Sequence, residues 1–557
     1  MDRFNEDEIK KGLNAKLFTL GGEQQERLAR NRAQALGLSY VNLTVFPIDQ
    51  DVLERLPKSL AEKGSAVLFY KQGKDVRVGV VNPSAPFVKE VIGHIQGSFN
   101  VEPQIHIISH RSFISALSRY RREQTVAAQP DGQFFITKEE MVGFEEGLAS
   151  MQKLGRHIAS MPPSEIITTL LAGAIKMDSS DLHIEPTDKG ARLRYRIDGV
   201  LQDIALFPIS GYQLVLSRVK VLSGLKLNVR EVPQDGSFIL NIGDGIYDVR
   251  VSVLPGGEGE NIVMRFLNRT AQAVKITQLG MKQRDFKVMM EELKKSDGMI
   301  LVTGPTGSGK TTSLASFITE VNSPELKVIT LEDPIEYRLP GVEQTQVDHS
   351  AGYTFAKGLR SILRQDPDMI MVGEIRDAET AEVALHASLT GHLVFSTLHT
   401  NDAPGAVPRL VDMGMQSFVI APAVNVVIAQ RLVRVVCSKC GEEYEPDAEL
   451  RKRIAKVMTG VSPEIFNLST LQKSDLKFKK AKGCNACNNT GYKGRVGVFE
   501  VMPVRGEIEE LILQGADGAT LRVTAMKGGM TTIAQDGYLK VIEGVTTVEE
   551  VARITAE

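Results

Sequence analysis

Residues 304–312, GPTGSGKTT, constrain this chain more than any other nine residues. They fit the pattern G-x-x-x-x-G-K-[ST]. The apolar run 299–302 ahead of them reads as a strand, and the residues behind them can form a helix. Strand, glycine loop and helix together are the context a phosphate-binding loop requires. Gly304, Gly307 and Gly309 let backbone N–H groups turn inward around phosphate oxygens, with Pro305, Thr306, Ser308 and Thr312 completing the loop. The helix that follows points its positive end at the same anion. Lys310 would reach the β- and γ-phosphates, and Thr311 would offer its hydroxyl to Mg²⁺. The expected ligand is a nucleoside triphosphate.

A chain of 557 residues is too long for one core, and about three to four domains is the expectation. The net charge of −2 supplies no global basic field to recruit nucleic acid. No apolar run reaches the length of a membrane span, and the charged start MDRFNEDEIKKGL lacks an apolar signal core. A cytoplasmic chain is expected, with membrane association only through partners.

The hydrophobic pattern divides the chain into modules. Residues 1–125 read as a small α/β module, with SAVLFY and VRVGVVNP as strands. Residues 126–160 begin with the turn-rich AAQPDGQ and read as a linker plus a helix leading into the next module. Residues 161–270 read as an α+β module with strands ARLRYRID, VLQDIALF, SFILNI, YDVRVSVLP and NIVMRFL. A long, flexible connection is expected between about residues 268 and 280. From 276 to 557, the strands MILVTG, KVITLED, MIMVGE and HLVFSTL alternate with helices, which implies a mostly parallel sheet covered on both faces.

An NTPase also needs a carboxylate at its metal and a group that orients the attacking water. ITLEDPIEY offers Glu332, Asp333 and Glu336, and the apolar strand in DPDMIMVGEIRD ends in Glu374. Wound sheets deliver such strand ends to the same carboxyl edge as the phosphate loop. TGHLVFSTLHTND adds His392 and His399, which suit either structural hydrogen bonding or a phosphate-sensing role.

These segments, in this order, resemble the Walker A, Asp box, Walker B and His box of the secretion superfamily ATPases. SSDLHIEP, RYRIDGVL and VPQDG resemble that family's second N-terminal domain. The resemblance covers nearly the whole chain. It implies a multidomain α/β protein: a RecA-like P-loop NTPase core, an α+β PAS-like second N-terminal domain and a small α/β first N-terminal domain. It further implies ATP hydrolysis with Lys310 and Thr311 on phosphate and Mg²⁺, Glu336 activating water, and Glu374 at the metal. His392 and His399 match the His-box histidines, and Arg250 and Arg265 match arginines that the second domain presents to the phosphates. The family's ERRxPQDGR reads REVPQDGS here, with Glu231 and Ser237 at two arginine positions.

The only four cysteines form CSKC, Cys437 and Cys440, and CNAC, Cys484 and Cys487, 43 residues apart. Paired C-x-x-C knuckles in such a chain read as a closed, structural Zn²⁺ site, within a module spanning about 430–500. The run GCNACNNTGYKGRVGVFEV resembles the tetracysteine module of assembly ATPases. Cys440 lies far along the chain from the phosphate loop, so Cys440→Ser is expected to destabilise the C-terminal module more than it harms nucleotide affinity.

Residues 33–120 resemble the first N-terminal domain of type II secretion and type IV pilus assembly ATPases, which docks on an inner-membrane platform. The region KGLNAKLFTLGGEQQERLARNRAQ lacks the Arg-Leu-Gly start of relatives that bind cyclic di-GMP, so no tight cyclic di-GMP binding is expected. The resemblance implies a homohexameric motor driving pilus assembly or type II secretion, peripheral at the inner membrane, with platform and assembly-ring partners and no direct nucleic acid contact. A DNA-translocating or conjugation-type motor is the alternative, and a nucleotide-binding scaffold without turnover is a third reading, disfavoured by Glu336 and Glu374.

Overall fold

The computed structural model describes residues 22–46, 48, 50–73, 75–117, 119–120, 132–137, 163–270 and 272–555. The charged start, the first part of the segment weighed for cyclic di-GMP, and most of the expected linker and its helix lie outside the described residues. The chain divides into two compact units, Met1–Ala128 and Gln129–Glu557.

In the first unit, Ala66–Gln72, whose first four residues are all buried, pairs with Asp75–Val80 as an antiparallel hairpin. Gln104–Ile107 joins parallel to Asp75–Val80, and Ser39–Tyr40 completes a four-stranded sheet. Helices Gly22–Leu36, Val88–Phe99 and His110–Leu117 accompany it, and their apolar stripes close one core.

The second unit holds two seven-stranded sheets. The first runs in the order Gln133–Ile136, Gln234–Ile242, Gly245–Gly256, Gly259–Asn268, Ser179–Thr187, Gly190–Ile197, Val200–Phe207. Every pairing is antiparallel except that of Gln133–Ile136, which runs parallel to Gln234–Ile242. That edge strand falls inside the stretch read from sequence as linker. The turn-rich residues before it masked a short alternation in which Phe134 and Ile136 point into the core and Phe135 points out. Helices Pro163–Lys176 and Ile209–Leu222 pack into the sheet's core. Two tyrosines tie them down: Tyr195 donates to Leu170 O at 2.7 Å, and Tyr212 donates to Glu260 O at 2.8 Å.

The second sheet is ordered Glu343–Gln346, Val328–Glu332, Met369–Val372, Leu393–Leu398, Gly298–Thr303, Val424–Val436, Tyr492–Pro503. All neighbours are parallel except the last pair. Side chains of the central strand Gly298–Thr303 alternate between two cores: Met299 and Leu301 enter one, Ile300 and Val302 the other. Both faces are covered, as the near-continuous apolar strands require. The connection between the two sheets is more anchored than the sequence suggests. Ile276 and Leu279 are buried, and Gly497 N–H donates to Leu279 O at 3.0 Å. Gly280 has φ +91°, and a Cβ there would collide with the Val496 side chain.

Candidate functional site

Strand Gly298–Thr303 delivers the glycine loop to the carboxyl edge of the sheet, and helix Lys310–Val321 leaves from it. The glycines are required by geometry. Gly304 has φ +150°, and a Cβ there would lie 2.6 Å from Gln430 O. Gly309 has φ +89° immediately before the helix. The Ser308 hydroxyl is buried without a hydrogen-bond partner, an orphan that suits a loop shaped around an anion. Lys310 Nζ donates to Gly304 O at 2.9 Å and Pro305 O at 3.2 Å. Burial lowers the Lys310 pKa, and the fields of Glu374 and Glu336 oppose that shift.

A cleft of about 750 Å³ opens over this loop. Thr306, Gly307, Gly309, Lys310, Thr311 and Thr312 line its floor. Glu336, Glu374 and His399 line one end. Glu374 pairs with Arg376 Nη2 at 2.6 Å and with His399 Nε2 at 3.4 Å. Glu332, another acidic candidate in the cleft lining, is a buried brace. Its carboxylate accepts from Thr330 Oγ1 at 2.7 Å and Gln344 Nε2 at 2.9 Å, while burial raises its pKa.

The other sheet roofs the cleft. Arg265 lines it, and its Nε donates to Asp181 Oδ1 at 2.8 Å. Arg196 Nε reaches the second Asp181 oxygen at 3.3 Å, so one nearly buried carboxylate aligns two arginines. Arg250 pairs across the ladder with Arg265 and lines a neighbouring depression with Ser237 rather than the cleft itself. Burial lowers the Arg250 pKa, opposed first by the field of Glu336.

His392 is not brought to the cleft. It precedes strand Leu393–Leu398, whose far end carries His399, so the two are about 23 Å apart at about 3.3 Å per residue. The His392 ring instead sits 3.1 Å from Ala387 O, a structural contact at the opposite sheet edge.

The four cysteine sulfurs lie within 4.8 Å of one another, with Sγ–Sγ distances of 4.0, 3.7 and 3.8 Å for Cys437–Cys484, Cys440–Cys487 and Cys484–Cys487. Four thiolates around Zn²⁺ at about 2.3 Å imply edges of about 3.8 Å, so the cluster fits that metal. Cys487 Sγ accepts backbone N–H groups of Cys484 and Gly491, each at 3.2 Å. The cysteine cluster and the nucleotide cleft are joined through one stretch of chain. Gly491 O also accepts from Cys437 N at 3.0 Å, and four residues on, Arg495 lines the cleft. Separation along the chain concealed this, because Tyr492–Pro503 runs back alongside Val424–Val436.

Sequence reasoning passed over several cleft residues. Asp181, Arg196 and Asp198 lie inside SSDLHIEP and RYRIDGVL, Arg376 follows Glu374 in GEIRD, and Arg495 lies in GYKGR. Leu432 and Arg553 carry no sequence signal at all.

The profile of the type II/IV secretion system protein family matches residues 159–553. The chain belongs to that family. The MshEN domain profile matches residues 36–127. The type IV pilus assembly ATPase PilB of Myxococcus xanthus is 36% identical over 559 residues, covering 99% of this chain and 95% of that one. The type II secretion system ATPase E of Vibrio cholerae is 39% identical over 516 residues, covering 92% and 99%. Among solved structures, the ATPase DotB of Legionella pneumophila matches with a TM-score of 0.51 at 22% identity, over 71% of this chain and 96% of that chain, a likeness of fold. The α/β, P-loop architecture expected from the sequence is the one observed. Among the described residues, no helix is long and apolar enough to cross a membrane.

Proposed function

We propose that this chain is a homohexameric ATPase that powers pilin-type filament extension or type II secretion through an inner-membrane platform, working from the cytoplasmic side. The observation that carries this reading is the single cleft in which the phosphate loop, Glu336 and Glu374 of one sheet meet Arg265 of the other. Lys310 would hold the β- and γ-phosphates, and Thr311 and Glu374 would hold Mg²⁺, which would neutralise phosphate charge. Glu336, exposed at the cleft, accepts a proton from the attacking water. Arg265, aligned by Asp181, offsets charge that develops on the γ-phosphate, and Arg250 adds positive potential beside Glu336. Because the arginines and the loop belong to different sheets, phosphate charge draws the two together, and its release lets them part. That coupling turns hydrolysis into movement. The four cysteines hold Zn²⁺ in a structural role. The relatives named for pilus assembly and for secretion both align over almost the whole chain, which supports a motor over a DNA translocase.

The test is turnover against assembly. Purified protein should hydrolyse ATP with a rate per chain that rises with concentration as rings form, and mass photometry should find hexamers in the active range. Full activity in a monomer would refute the motor reading.

A further inference from the structure

The nucleotide cleft has a direction that the sheet order fixes. The strands leading to Glu336, Glu374 and His399 all lie on one flank of the phosphate-loop strand. On the other flank lie Val424–Val436 and Tyr492–Pro503, which bring Leu432 and Arg495 to the same cleft. A nucleotide whose γ-phosphate faces the acids must lay its base and ribose toward this second flank.

Arg553, from helix Val548–Thr555, lines the cleft there. A direct chain of contacts ties it to the loop. The Leu432 methyls lie 3.4 and 3.5 Å from where a Cβ on Gly309 would sit, and Arg553 Nη2 donates to Leu432 O at 3.4 Å. Its guanidinium is held in place by Glu550, which accepts from Arg553 Nε at 3.1 Å and Nη2 at 2.8 Å. Glu550 is 1% exposed and also accepts from Arg434 N at 2.9 Å and Arg434 Nη2 at 2.7 Å. Arg434 in turn stacks over Tyr492 at 4.0 Å. One carboxylate thus fixes two guanidiniums and balances the charge of only one. A second-domain turn covers the same end of the cleft: Asp198 Oδ2 accepts from Gly494 N at 3.1 Å, beside Arg495.

We propose that Arg553 binds the base-and-ribose end of the nucleotide against Leu432, and that Glu550 is its positioning residue. Neither the Walker-type segments nor the His box contains either residue. The proposal rests on the ATPase reading above and deepens it by giving the site a nucleoside end distinct from its phosphate end.

The experiment compares two ligands on the full chain by calorimetry with Mg²⁺: a non-hydrolysable ATP analogue, and inorganic tripolyphosphate, which has no base or ribose. Arg553→Ala should weaken the ATP analogue by roughly tenfold, the worth of one charge-assisted contact, and leave tripolyphosphate unchanged. Glu550→Gln should show the same split to a smaller degree. Arg553→Lys keeps the charge and the stem but loses the planar fork; it should also weaken only the ATP analogue, and it serves if the alanine variant fails to fold. In steady-state hydrolysis, KM for ATP should rise with kcat within about twofold. Equal weakening of both ligands, or no weakening of either, overturns the nucleoside assignment. Lys310→Ala is the control for the underlying reading: it should weaken both ligands, and its failure to do so would overturn the ATPase site itself.

Discussion

The two flanks of the phosphate-loop strand are built on opposite plans. On the acid flank, functional groups sit at bare strand ends with few partners: Glu374 is shared between Arg376 and a longer contact to His399, and Glu336 stands exposed. On the other flank, Arg553 is locked by a buried carboxylate that accepts four hydrogen bonds. The difference teaches where this site must change during turnover. Carboxylates near a γ-phosphate exchange partners as charge develops and leaves, so few fixed contacts serve them. A base and ribose are the same before and after hydrolysis, and a rigid wall suffices.

The comparison breaks first at Glu336. Glu336→Gln should retain ATP binding and lose turnover by about 10²–10⁴-fold, because an amide cannot take the water's proton; ordinary steady-state hydrolysis by this variant would sink the assignment. Next is the roof of the acid end. Asp181→Ala frees both Arg196 and Arg265, and kcat should fall by about tenfold or more with a smaller change in KM. Mixing Arg250→Ala subunits into wild-type rings should depress activity by more than their fraction, which a titration of mixed assemblies would read. The next effect sharpens the other flank. Cys440→Ser should drop bound zinc below about one per chain by metal analysis and, because Gly491 joins the cysteine cluster to the Arg495 strand, also raise KM for ATP. Unchanged KM in a zinc-free, folded protein would separate the two sites.

A smaller effect concerns pH. Burial alone would raise the Glu550 pKa, but hydrogen bonds from Arg553 and Arg434 outweigh it and hold the carboxyl at about 2 against an ordinary 4.5. A depressed carboxylate stabilises the fold fully above about pH 4.5, and that contribution is lost as pH falls from there toward about 2. Glu550→Gln should therefore be less stable than wild type at neutral pH, with the gap narrowing through that window in denaturant titrations. The smallest effect belongs to Gly280→Ala, which meets Val496 and a left-handed backbone; it should lower Tm by about 1 °C for each kcal/mol lost at a chain of this size.

The acid flank was legible because its chemistry is written in contiguous strings. A strand end places Glu374, His399 or the glycine loop with no help from distant sequence. The resemblance misled at His392: it grouped both histidines in one box, although the strand HLVFSTL read between them carries them to opposite edges of the sheet. Arg265 could be named through resemblance, but its partner Asp181, 84 residues earlier in the chain, is fixed only by strand pairing. The nucleoside flank was illegible for the same reason, carried further. Leu432, Arg495 and Arg553 come from three separate segments, and an arginine in a short amphipathic helix looks like any solvated face. The edge strand Gln133–Ile136 was lost because four residues are too few for alternation to stand out beside a run of turn formers.

One strand of the second sheet gathers more than its share of attachments. Within seven residues, Gly491 meets the cysteine cluster, Gly494 the second domain's turn, Arg495 the cleft, and Gly497 the connector at Leu279. Mechanically, in the proposed motor the connector would be the arm that carries the arginine-bearing sheet, and its anchor at Gly497 lies two residues from Arg495 in the cleft wall. A lever pivoted so close to its driving force would trade ångström-scale displacement at the cleft for a larger sweep at its far end.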